Sequence, residues 1–139
     1  MAVTQDGANR TNIYATPSVL VEPRDAHGRV RGVYDSVTLA AQNINSTAIM
    51  GPNIPPNARI VFYSFVHANL TANTAYKLEH IDSAGGVTTI FASAATTSAG
   101  TIEDHIVVTA DNAGSLTLTQ TGAGTAAGAV TLYVEYITD

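Results

Sequence analysis

The chain has 139 residues, enough for one domain with a core that needs no covalent staples, and it has no cysteine, which excludes disulfides, thiolate metal sites and thiol nucleophiles. Only 12% of residues are charged while 45% are hydrophobic, so a disordered chain is excluded and a surface this poor in charge is expected to be largely covered, by self-association or by docking on a larger body. The net charge of -5 is uneven: Arg10, Arg24, Arg29, Arg31 and Arg59 face four acids in residues 1–59, whereas Lys77 alone faces seven acids in the remainder, so neither half offers a basic patch and no nucleic-acid partner is expected.

The opening MAVTQDGANRTN has neither an apolar core nor a basic leader, so no conventional signal peptide is expected. Residues 1–28 show no sustained period, and Pro17 and Pro23 each remove a backbone donor. Ile13, Tyr14, Val19, Leu20 and Val21 are too apolar for a free tail, which predicts an extended N-terminal arm lying on something. The folded domain is expected over 29–139.

RVRGVYDSVTLAA (29–41) alternates as a strand, with Asp35 out of place among Val33, Val37 and Leu39, which points to a bulge or register change near Tyr34. STAIMG (46–51) reads as a short strand closed by Gly51-Pro52 and then Pro55-Pro56. Ala58 to Leu70 is β-branched and aromatic on both parities, so it is expected as a central strand covered on both faces, one on the core and the other beneath the arm or a neighbouring subunit. It is too short, and too interrupted by Arg59, Ser64, His67 and Asn69, to span a membrane.

AYKLEHI (75–81) and VTTIFAS (87–93) flank a Gly-containing hairpin turn, and HIVVTA (105–110) and SLTLTQT (115–121) flank another. AVTLYVEYI (129–137) closes the set, with Val130, Leu132, Val134 and Tyr136 on one face. No capped helical stripe is expected anywhere. Eight short strands with evenly spaced turns predict an all-β, jelly-roll-like sandwich.

Candidates for chemistry are few. His27, His67, His80 and His105 form no metal-binding spacing, and His80 and His105 with Glu79, Glu103 and Asp104 are a weak metal set beside the plainer reading of a solvated acidic pair. Gly122 to Gly128 lacks the GK[ST] ending of a phosphate loop and reads as a hairpin tip, and no GxSxG nucleophile elbow is present. No enzyme activity and no cofactor are expected. Arg10, Tyr14, Arg24, Arg29 and Arg31 gather in or beside the arm, and arginine and tyrosine favour interface cores, so these are the candidate contact residues.

GRVRGVYDSVTLA (28–40), STAIMGPNIPPNARIVFYSFVHANL (46–70) and NTAYKLEHID (73–82) together resemble the capsid decoration, or cement, proteins of tailed bacteriophages. The shared outline is an Arg-flanked first strand, an M-G turn, a Pro-containing link, an apolar strand carrying a His, and a strand opening with NTAYKL. It covers residues 28–82. The resemblance implies a β-sandwich protein, often trimeric, made in the host cytoplasm and bound to the outer surface of a phage head, where it clamps neighbouring major capsid protein subunits. It implies no catalysis, and from the residues no membrane partner is expected.

Rival readings are a carbohydrate- or receptor-binding sandwich, disfavoured by the absence of Trp, a cupin-like metalloenzyme, disfavoured by the histidine spacing, and another virion part such as a head fibre base or tail component.

Overall fold

The computed structural model describes residues 2, 4–13, 30–71, 74–95 and 98–138, and among them nine strands and one short helix occur. β1 (Thr4–Asp6) and α1 (Ala8–Ile13) precede β2 (Val30–Gln42), β3 (Thr47–Ile54), β4 (Ala58–His67) and β5 (Ala75–Asp82). β6 (Val87–Ala95), β7 (Gly100–Ala110), β8 (Gly114–Gln120) and β9 (Ala126–Ile137) complete the chain. They build two sheets, ordered β1-β3-β8-β5-β6 and β2-β9-β4-β7.

Strands pair from the outside in: β2 with β9, β3 with β8, β4 with β7 and β5 with β6, all antiparallel. The chain from Val30 to Ile137 is therefore one long hairpin, rolled up by the further pairings of β4 with β9 and β5 with β8. This is a jelly roll. All eight strands expected from the sequence are present, and β1 adds a ninth. The period-2 pattern of β9 buries Val130, Leu132, Val134 and Tyr136, which meet Phe65, Leu78, Leu116 and Leu118 from the other strands. Each such fully buried side chain contributes about 1.5–3 kcal/mol.

Several expectations need correction. α1 is a helix where none was expected. Its six residues are too few to hold together alone, so tertiary contacts maintain it. β2 pairs with β9 without interruption from Val30 to Leu39, and its irregularity lies between Leu39 and Gln42, where Ala41 has φ +49°, well past Tyr34. β3 does not end at Gly51 but runs through Pro52 to Ile54, with its register shifting after Met50. Proline is tolerated there because β1 pairs only with Thr47 to Ile49, which leaves Pro52 on an edge.

Only the first of the two expected hairpins exists. β5 and β6 are neighbours, and Asp82 accepts backbone N–H bonds from Ala84 (2.9 Å) and Gly86 (2.7 Å), with Gly85 at φ +87° completing the turn. β7 and β8 lie in opposite sheets, as do β8 and β9, so residues 111–113 and 121–125 are corner crossings rather than hairpin tips.

The double apolar parity of β4 has a local cause. Its register shifts between Ile60 and Phe62 against both neighbours, so the inward set passes from Ala58 and Ile60 to Tyr63, Phe65 and His67. Val66, on the other parity, is 45% exposed among the described residues.

Candidate docking surface

The N-terminal segment is fastened to the sandwich by two buried polar groups. Asp35, fully buried on β2, is the residue that looked misplaced in the strand pattern. Its carboxylate accepts N–H bonds from Gly51 (2.8 Å), Arg10 (3.1 Å) and Ser36 (2.8 Å). Arg10 is the third residue of α1, where a helix-capping side chain ordinarily accepts a bond. Gly7, just before the helix, has no side chain to do so, and a Cβ there would fall 2.0 Å from the Asp35 carboxylate. Asp35 thus caps α1 from another strand and at the same time holds the Gly51 bend, where φ is +66°.

The second anchor is a chain of amides and a phenol. Gln5 on β1 accepts a 2.7 Å bond from the Gln42 amide. The Tyr76 hydroxyl donates to Gln42 at 3.0 Å and lies 3.4 Å from Gln120, which itself donates to the Gly122 carbonyl at 2.8 Å and to that of Gly124. Gln42, Tyr76 and Gln120 are all buried, and desolvation pushes the Tyr76 phenol far above its ordinary pKa. Buried polar groups require such closure, and here it joins the N-terminal strand, the β2 bulge and the 121–125 crossing.

Of the five predicted contact residues, Tyr14, Arg24 and Arg29 lie outside the described residues. Arg10 is half-buried and turned toward its own fold: its guanidinium donates to the Gly51 carbonyl (3.2 Å) and Asn53 Oδ1 (3.0 Å) and lies 3.5 Å from Asp6. Arg31 sits opposite Tyr136 across the β2–β9 ladder and hydrogen-bonds that phenol. Burial raises the Tyr136 pKa, with Arg31 pulling the other way. Arg10 and Arg31 engage different partners.

The outer face of the β2-β9-β4-β7 sheet carries an aromatic row. Phe62 packs on His105 (ring centroids 5.0 Å apart) and on Tyr133 (6.3 Å). Tyr133 lies over Gly32, where a Cβ would come within 2.8 Å of its ring, and its hydroxyl donates to Glu135 at 2.8 Å. Tyr34 follows at 47% exposure. Beside it a cleft of about 510 Å³ opens between the N-terminal segment and this face, lined by Asp6, Tyr34, Ser36, Thr38 and Thr131 among others.

His80 and His105 do not converge. His80 is buried in one sheet and His105 is exposed on the other. Among the described residues no three metal-ligating side chains gather. Burial pushes the His80 imidazole below its ordinary pKa against the pull of Asp82, and among the described residues its Nε2 has no hydrogen-bond partner. No helix among the described residues is long and apolar enough to cross a membrane.

No known family model matches the chain, and no curated protein matches it in sequence. Solved structures do match. A chain of the capsid of Ralstonia phage GP4 superposes with a TM-score of 0.66 at 16% identity, with 99% of each chain covered. A chain of the acid-stable capsid of Helicobacter pylori bacteriophage KHP30 gives 0.56 at 14% identity, over 81% of this chain and 90% of that one. A chain of the cyanophage Pam1 capsid gives 0.55 at 20% identity, over 90% and 96%. At these identities the likeness is one of fold: this chain and chains of three phage capsids share the jelly roll.

Proposed function

We propose that this protein is a structural part of a phage virion, a decoration protein that binds the outside of the head as a trimer and ties neighbouring major capsid protein subunits together. The observation that carries this reading is the match to the Ralstonia phage GP4 capsid chain over 99% of both chains. The likeness there extends over nearly all of the solved chain rather than over one part of it. A sparsely charged sequence and an outer sheet face carrying exposed Tyr34 beside half-buried Phe62 and Tyr133 suit attachment through area rather than through a few ion pairs. Stable interfaces of this kind bury roughly 1,200–2,000 Å², and a trimer multiplies its attachment by multivalency. On this reading the chain is no enzyme.

Uptake of the purified protein by heads lacking it tests the proposal. Saturable binding at sites between shell subunits, with a trimeric mass in solution, supports it. Attachment only at a vertex or tail makes the chain a fibre base or tail component.

A second reading rests on the cleft beside Tyr34, where an exposed ring, the Asp6 carboxylate and three hydroxyl side chains suit a sugar. Glycan-array binding that is lost on Tyr34→Ala, with no uptake by heads, would favour it.

A further inference from the structure

The two sides of the sandwich treat their strand edges differently. On one side the edge is blunted: β1 offers only three residues, Pro52 lies on the adjoining stretch of β3, and α1 packs beside β2. Short edges, prolines and covering elements are the ordinary protections against unwanted strand pairing. On the other side, β7 ends its sheet after eleven residues with no proline, lysine or arginine. Among the described residues no strand lies beyond it. About half of its backbone N–H and C=O groups therefore point away from β4. The neighbouring edge, β6, is broken by two register shifts against β5, whereas β7 pairs with β4 one to one from Gly100 to His105. Past this run, Val107 is 79% exposed.

We propose that the Gly100–His105 edge accepts an extended segment of a shell subunit as an added antiparallel strand, and that the segment carries two adjacent basic residues. This rests on the capsid reading above. The backbone edge demands a strand, and the side chains select its charge. Glu103 and Asp104 are both exposed and, as successive strand residues, project to opposite faces of the sheet. Two neighbouring Lys or Arg residues on an incoming strand reach both faces in the same way, and each opposite-charge cross-strand pair is favourable. A second copy of this chain is the poorer occupant, because symmetric pairing over Gly100–His105 gathers the Glu103 and Asp104 carboxylates of both copies in one short ladder.

The test uses the full chain and heads depleted of it. Amide hydrogen exchange is measured on free and head-bound protein, beside uptake of a Glu103→Lys, Asp104→Lys double variant whose melting and solution mass are checked first. The exposed positions predict unchanged melting. Docking is expected to slow exchange across Gly100–His105 while leaving Val87 to Ile90 on β6 unchanged, and the double variant is expected to bind at least about ten-fold more weakly. Equal exchange in the free and bound states overturns the inference whether or not the variant folds, and so does undiminished uptake of a folded variant. A solution dimer lost on the same substitution assigns the edge to a second copy and also overturns it. Failure of the parent protein to bind heads removes the capsid reading itself, and this inference with it.

Discussion

Asp35 shows how one side chain can decide what a whole segment does. In the strand pattern it interrupts a hydrophobic face, and a register change looks like the simplest remedy. The carboxylate instead points inward, where the N–H groups of Arg10, Gly51 and Ser36 satisfy it. Replacing it with Ala leaves buried donors without acceptors. Asp35→Ala is expected to cost about 3 kcal/mol, roughly 6–12 °C in melting temperature, and to expose residues 4–13 to proteolysis before the sandwich opens. Denaturant unfolding with limited proteolysis measures both.

His80 makes a second prediction at this scale. Its folded pKa lies below the ordinary value of 6.5, so in mildly acid solution the unfolded chain binds a proton that the folded one refuses. Stability is therefore fully present above pH 6.5 and falls as pH drops from there toward the depressed folded value. His80→Leu is expected to flatten the melting curve's pH dependence as pH falls from 7 through 6.5 and below. Asp82, whose pKa its turn hydrogen bonds lower, contributes only in a more acid window, where stability is lost as pH falls below the usual carboxylate range.

At the scale of elements, β9 was legible from alternation alone, because an unbroken strand keeps one parity inside. β4 was half legible. Its position and its central place in the sheet followed from apolar content, but two apolar parities suggested two covered faces, and the shift at Ile60–Phe62 instead hands the core over from one parity to the other. Phe65, fully buried against Tyr76 and Phe91, and its neighbour Val66 separate these ideas. Phe65→Ala is expected to cost about 3–5 kcal/mol, and Val66→Ala less than about 0.5. A large loss at both, measured in dilute solution, would mean that the outer face is covered after all.

The corner crossings at 111–113 and 121–125 were misread for a related reason. Turn residues report a local change of direction and carry no record of which sheet the next strand joins. α1 escaped notice because it has no apolar stripe, and its stability comes from Asp35, twenty-five positions after Arg10. The outer aromatic row of half-buried Phe62 and Tyr133 with exposed Tyr34 is hidden in the sequence because parity across a bulge cannot be assigned until the strands are paired.

For the whole molecule, the scarcity of charge is the sequence feature behind the expectation of a covered surface. The fold adds direction to that idea: among the described residues one side is closed by the N-terminal segment and no strand lies beyond β7 on the other. The central claim is the proposal that this jelly roll binds the outside of a phage head, and cryo-electron microscopy of phage heads incubated with the purified protein tests it most directly. The account predicts density for the sandwich on the outer surface, bridging neighbouring shell subunits with its β7 side against one of them. Heads without such density, or the protein confined to a tail or a single vertex, would contradict it.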